Sequence, residues 1–243
     1  MKQLILIAIA ACTTPLAFGQ EIEQQLKHFT RIVASPRIHV ILNKGHEAAI
    51  RVVYSDVSKN KINIQVTGKT LRVYLDGARK VEPMKSHDRN GRRESLYEGV
   101  SVTAYITYKE LEMLEIRGNQ ELTCHDPIIA DAFTLRAYGE NDIALASVRS
   151  GYFKAKLYGE NSLQIKEGRS LEQKYMLYGE NKVNTRGFRS ENIVTSIFGE
   201  GTLRVYSSNE MRIDAFGEPK IHVDGGGDIH RRVVIGNASV TKH

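Results

Sequence analysis

Phe133-Thr134-Leu135-Arg136-Ala137-Tyr138-Gly139-Glu140-Asn141-Asp142-Ile143-Ala144-Leu145 is one statement of a phrase that the chain repeats. Its centre, Tyr138-Gly139-Glu140-Asn141, returns as Tyr158-Gly159-Glu160-Asn161 and Tyr178-Gly179-Glu180-Asn181, then decays to Phe198-Gly199-Glu200-Gly201 and Phe216-Gly217-Glu218-Pro219. Counted from Gly118, the glycines advance by 21, 20, 20, 20 and 18 residues, and Gly236 follows 19 later. A fixed period of this size means one supersecondary unit stacked on copies of itself.

Within each unit the alternation has period 2. Apolar residues fall two, four and six places before the glycine: Phe133, Leu135 and Ala137; Phe153, Ala155 and Leu157; Met211, Ile213 and Ala215. They resume four and six places after it, as in Ile143 and Leu145, Leu163 and Ile165, and Leu203 and Val205. That is a strand with one face inward. A second turn-rich corner follows at 147–151, 167–170, 186–190, 207–210 and 224–228. The expected fold is all-β, a parallel β-helix (β-solenoid) with coils of about 20 residues over 111–243. Residues 20–110 alternate without the repeat, in stretches such as Ile38 to Leu42 and Leu71 to Leu75. They are expected as an irregular amino-terminal β part that caps the stack, since an uncapped first coil leaves a strand edge open. A basic loop, 78–96, interrupts this part.

Composition is that of an ordinary soluble surface: 243 residues, 26% charged, net charge +6, five prolines and no tryptophan. Lys2, the apolar run Leu4 to Ala11 and the small residues Ala17 and Gly19 read as a signal peptide over 1–19. The alternative is lipidation at Cys12, in the lipobox-like Ile9-Ala10-Ala11-Cys12. Both send the chain out of the cytoplasm, to the periplasm, outer membrane or cell surface. Nothing later approaches the roughly 18 to 20 apolar residues of a transmembrane span. Cys124 occupies an inward register and is expected as a small buried hydrophobe. Nucleic acid makes no sense as a partner for an exported chain.

A resemblance comes from Phe29-x-x-Ile32, Ile38-His39-Val40 with Gly45, and Leu71-Arg72-Val73. To these are added Val102-Thr103-Ala104-Tyr105-Ile106-Thr107 and the run Leu111 to Gly118. Together they resemble the bacterial auto-transporter adhesin head domain, the GIN domain family, over roughly residues 28 to 240. The resemblance implies a parallel β-helix in the bacterial envelope and brings no catalytic residues. The family's corner usually reads Ser-Gly-Ser-Gly; here the glycine phase agrees and the flanking chemistry departs.

Stacking at about 4.8 Å would align Glu140, Glu160, Glu180, Glu200 and Glu218 as a carboxylate ladder. Asn141, Asn161 and Asn181 would run beside it, with Tyr138, Tyr158 and Tyr178 as an aromatic stripe. Three readings of this edge stay open. The glutamates are solvated and partly neutralised by Arg149, Arg169, Arg186, Arg189, Lys154, Lys156 and Lys174. Or the Tyr, Glu and Asn residues hold a ligand, with the tyrosines stacked on sugar rings. Or the carboxylates bind Ca²⁺. No metal or cofactor site is assigned. A carbohydrate-active enzyme would need two carboxylates in different environments, whereas repeats of one phrase supply similar ones, so no catalytic residue is expected. The functional expectation is an exported binding or adhesion module for a surface glycan or envelope protein. The alternative is a structural protein that assembles with copies of itself.

Overall fold

The computed structural model describes residues 20–84 and 95–243. The expected signal peptide with Cys12, and residues 85–94 of the basic loop, lie outside the described residues. The fold is all-β: the described residues form twelve strands, one short 3₁₀ turn at Lys59–Lys61, and no α-helix. The amino-terminal strands are β1 (Gln20–Gln25), β2 (Arg31–Ala34), β3 (His39–Lys44), β4 (Ala49–Ser55), β5 (Ile62–Thr67), β6 (Thr70–Leu75) and β7 (Ser101–Tyr108). The repeat region comprises β8 (Met113–Asn184), β9 (Phe188–Gly217), β10 (Lys220–Asp224), β11 (Asp228–Ile235) and β12 (Ser239–Lys242).

A strand of 72 residues such as β8 would reach roughly 240 Å if straight, at about 3.3 Å per residue. It bends instead, so that residues 20 apart lie side by side. The Asn141 amide donates to Asn161 Oδ1 at 2.8 Å, and the Asn161 amide donates to Asn181 Oδ1 at 3.1 Å. The register continues into β9, which pairs parallel with the end of β8: Tyr178 opposite Phe198, Gly179 opposite Gly199, Glu180 opposite Glu200. The glycine at each first corner is required by two constraints together. Gly139, Gly159, Gly179 and Gly199 all have positive φ, and a Cβ on any of the last three would run into the carbonyl of the preceding corner glycine.

Period-2 patterning becomes burial. Phe133, Leu135 and Ala137, Phe153, Ala155 and Leu157, and Met211, Ile213 and Ala215 are each fully buried. Phe133, Phe153 and Phe188 form a chain of ring contacts in the interior, with centroids 6.0 and 5.1 Å apart. One coil departs from the apolar rule. Gln173, Tyr175 and Thr185 are completely buried, and the Tyr175 hydroxyl meets both Gln173 Oε1 and Thr185 Oγ1 at 2.8 Å. Gln173 Nε2 donates to the Phe188 carbonyl at 2.9 Å, so the polar cluster is internally satisfied.

The amino-terminal strands mix both senses. β2 lies between β6 and β8, parallel to each, and β3 lies likewise between β7 and β8. Antiparallel pairs β4 with β7, β1 with β4, and β5 with β6 carry the sheet outward to its edges. Across the basic loop, Met84 bridges Ser95. Arg37 Nε donates to both oxygens of Glu82, at 2.9 and 3.1 Å. At the carboxyl-terminal end the register slips between Arg231 and Val233, and Val233, Val234 and Ile235 remain 43, 38 and 60% exposed.

Candidate functional site

The first corners bring the expected residues into three parallel rows with different fates. The aromatic row is a continuous stack. Tyr138–Tyr158, Tyr158–Tyr178, Tyr178–Phe198 and Phe198–Phe216 have centroids 5.1, 4.7, 4.9 and 4.7 Å apart and planes within 4° of parallel. At one end the Arg117 guanidinium lies 4.6 Å over the Tyr138 ring; at the other, Ile235 pairs with Phe216. The rings therefore spend their faces on one another. A sugar cannot stack on Tyr158 or Tyr178, whose two faces are both covered, and the expectation of ring-face stacking is corrected on that ground. What the row offers outward is ring edges and a line of phenol hydroxyls. Burial first, then the phenols of Tyr178 and Tyr138, hold the Tyr158 hydroxyl above its ordinary pKa.

The asparagine row is also corrected. Asn141, Asn161 and Asn181 are 3, 2 and 1% exposed. They form an amide ladder that ends with Asn181 donating to the Tyr178 carbonyl at 3.2 Å. Their amides join residues 20 apart, and Asn141 and Asn161, though they line the glutamate groove, present almost no surface to it. The signal was available in the sequence: two places after the glycine is an even offset, the same parity as the inward residues Ile143 and Leu145. Gln120, two places after Gly118, is buried at the head of this row.

The glutamate row is exposed, as its odd offset requires. Glu140, Glu160 and Glu180 line one shallow groove together with Ser162, Lys182 and His39. Neutralisation is slight. Asn119 donates to Glu140 at 3.3 Å, and Lys182 approaches Glu180 at 4.0 Å with both side chains largely in water, a geometry of little energetic weight. Arg149, Arg169 and Arg189 form their own column at the second corner, where Arg169 pairs in register with Arg189. Among the described residues no three His, Cys, Asp or Glu side chains converge to hold a metal ion.

Two features escaped the sequence reading. Glu115 is 7% exposed and sits between Arg117, 2.7 Å away, and Arg136, 3.5 Å away. At the second corners, the Ser170 and Ser190 hydroxyls donate to the carbonyls of Glu172 and Asn192 at 2.7 and 2.9 Å, which closes the turns.

A family described as "putative auto-transporter adhesin, head GIN domain" matches residues 28–227. The chain belongs to this family. Solved GIN-like structures share its fold at low identity. A putative adhesin from Bacteroides fragilis NCTC 9343 superposes with a TM-score of 0.76 at 15% identity, covering 94% of this chain and 99% of that one. A putative adhesin from Parabacteroides distasonis ATCC 8503 gives 0.68 at 12% identity, over 92 and 96%. A protein of the same strain described as a putative lipid binding protein gives 0.61 at 13% identity, over 94 and 98%. No curated protein matches the chain. Among the described residues, no helix is long and apolar enough to cross a membrane, which says nothing of membrane-spanning strands.

Proposed function

We propose that this GIN-domain chain is an exported binding module of the cell envelope, built as a parallel β-helix with coils of about 20 residues. In this reading the amino-terminal part, 20–110, caps the stack, and the outer surface of the coils does the work. The observation that carries it is the alignment of like side chains on successive coils. Glu140, Glu160 and Glu180 line one groove, and the stacked Tyr138, Tyr158 and Tyr178 stand two residues before them in the chain, across the corner glycines. Carboxylates accept and phenols both donate and accept, so this edge is complementary to the hydroxyls of a surface glycan or to an exposed peptide backbone. The family's adhesin description, and the lipid-binding description of one similar structure, are compatible with binding rather than catalysis. Anchorage through Cys12, or its removal with a signal peptide at 1–19, belongs to the same proposal.

The test is native mass spectrometry of the purified protein with neutral oligosaccharides and with envelope extracts, repeated on Glu160→Gln/Glu180→Gln. Binding that is lost in the variant, with melting unchanged, supports the corner. Binding that persists moves the site elsewhere.

Self-assembly is a second reading favoured by a specific observation. The last repeat leaves Val233, Val234 and Ile235 exposed, and among the described residues β12 pairs only with β10, which leaves a strand edge there for another strand to pair with. The same mass spectra report it directly: a concentration-dependent dimer abolished by Val233→Lys supports assembly, and a monomer at all concentrations rules it out.

A further inference from the structure

The strand leading into each first corner presents a second set of outward residues in two staggered columns, Arg136 and Lys156 three places before their glycines and Lys154 and Lys174 five places before theirs. All four are half-buried. They crowd one another. Partial burial first, then Lys156, Lys174 and Arg136, push the Lys154 ammonium below the usual lysine range. Among the described residues, none of the three lysines lies within ion-pair distance of a carboxylate. Arg136 shares Glu115 with the closer Arg117, and its Nε is buried with no acceptor. A cluster of cations on a rigid sheet, with an unmade buried N–H, is costly unless an anion completes it.

The surroundings say what kind of anion. The row covers three coils at a step of about 4.8 Å, so its charges extend over roughly 10 Å along the stack. A lone phosphate would reach one end of it only. A linear polysaccharide has a rise per sugar close to the coil step, and a charged group on its sugars would meet cation after cation. On one flank stand the hydroxyls of Tyr138 and Tyr158; Arg136 is near enough to Tyr158 to stabilise its phenolate. On the other flank Arg149 and Arg169 line an open groove with Arg136. Besides Glu115, which Arg117 and Arg136 share, the acids near this surface are Glu110, Glu112 and Asp131 in that groove and Glu172 beside Tyr152, and Glu112 is already engaged by the Thr30 hydroxyl at 3.0 Å. Met176 continues the Arg136–Lys156 column half-buried, and among the described residues Ile129 is the one strongly exposed large apolar residue lining the groove, less than a surface receiving acyl chains would need.

We infer that Arg136, Lys154, Lys156 and Lys174 form a binding site for a linear anionic polysaccharide, carboxylated or sulfated, lying along the coil axis. The cations take its charges and the tyrosine hydroxyls take its sugar hydroxyls. This site shares the hydroxyls of Tyr138 and Tyr158 with the glutamate corner but holds its anion on different side chains, so lysine variants and glutamate variants test the two separately.

The experiment measures binding of the purified protein to fluorescent polygalacturonate and heparin oligosaccharides across a salt series. Dextran, inorganic phosphate and vesicles of phosphatidylglycerol in phosphatidylcholine serve as competitors. The expected result is binding that falls steeply with salt, as counterion release dictates, and that dextran and phosphate do not displace. Lys154→Gln/Lys156→Gln/Lys174→Gln should weaken it by about tenfold or more and flatten the salt dependence. The equally charged control Lys59→Gln/Lys61→Gln/Lys220→Gln should leave it unchanged. The triple variant relieves repulsion, so its melting temperature should hold or rise and a folding defect will not mask the result. The inference is overturned if the triple variant binds like the wild type, if the control loses as much, or if phosphate competes as a single ion. Preference for the vesicles over both saccharides would overturn it equally, in favour of a lipid surface.

Discussion

Replacing Gly159 with alanine tests the stacked arrangement at its tightest point. Gly159 has a φ of 105°, and a Cβ there would overlap the Gly139 carbonyl oxygen of the coil before it. Positive φ costs a non-glycine residue about 1–3 kcal/mol. The overlap adds to this, because the obstacle is backbone held between two coils and cannot swing aside as a side chain would. Together these give about 3 kcal/mol or more. For a chain of this size each kcal/mol lowers the melting temperature by roughly 2–4 °C, so Gly159→Ala should melt about 6–12 °C below the wild type. The assay is thermal denaturation followed by circular dichroism, with Gly226→Ala as the matched control. Gly226 has nothing within 4 Å of a built Cβ and no positive φ, so its alanine variant should melt within about 2 °C of the wild type, or slightly above it. A Gly159→Ala protein that melts like the control would falsify the account of why glycine recurs.

The aromatic stack makes its own prediction. Tyr158→Ser/Tyr178→Ser removes three ring pairs worth about 0.5–1.5 kcal/mol each and should visibly destabilise the protein, whereas Tyr158→Phe/Tyr178→Phe keeps the stack, removes the hydroxyls and should melt almost normally. Equal melting of the two variants would show that the stack contributes nothing. Asn161→Ala strands the Asn141 donor and the Asn181 acceptor; at about 1–3 kcal/mol for each buried unpaired group, chemical denaturation should show a loss of about 2–6 kcal/mol. Cys124 is 1% exposed and burial pushes its thiol pKa up, so native protein should resist thiol reagents that label it rapidly in denaturant. The same direction of shift holds for Tyr108 and Tyr175, also raised chiefly by burial. Groups raised in the folded state stabilise it fully below their unfolded pKa, and that contribution is lost as pH rises past it. Melting temperature should therefore decline from about pH 9 upward, beginning with the thiol and continuing with the phenols near 10; a flat profile to pH 11 would contradict the burial of these groups.

The parity of the repeat carried most of what could be read in advance. Gly118, Gly139, Gly159 and Gly179 place the corners, and the even offsets place Phe133, Leu145 and Cys124 inside. The same parity places Asn141, Asn161 and Asn181 inside, but an amide's polarity argues for solvent until its partner on the next coil is known. That partner is 20 residues away, and its contribution depends on a 2.8 Å contact that spacing alone does not specify. The tyrosines were correctly turned outward, yet whether a ring offers its face or its edge depends on the tilt between coils. Gln173 and Tyr175 occupy inward positions without being apolar, and they are tolerated there because Thr185 and the Phe188 carbonyl satisfy them. Arg149, Arg169 and Arg189 are legible in the sequence as residues of the second corners, but how little they neutralise the glutamate ladder is visible only in the structure, where Arg169 pairs in register with Arg189.

Because every row repeats once per coil, the chain tolerates changes of length only in certain sizes. Deleting residues 159–178 would join Gly139-side sequence to Gly179 and leave the aromatic, amide and carboxylate rows continuous, one rung shorter. Inserting a single residue into a strand such as 153–157 would instead send Phe153 and Leu157 to opposite sides and expose what the core requires. The shortening to 18 between Gly199 and Gly217 leaves the Phe198–Phe216 stack undisturbed, whereas the extra residue before Gly236 falls inside β11, as the register slip between Arg231 and Val233, and the strand there is exposed. Lineages of this fold are thus expected to lengthen and shorten in whole repeats of about 20 residues, each change adding or removing one rung from every row at once.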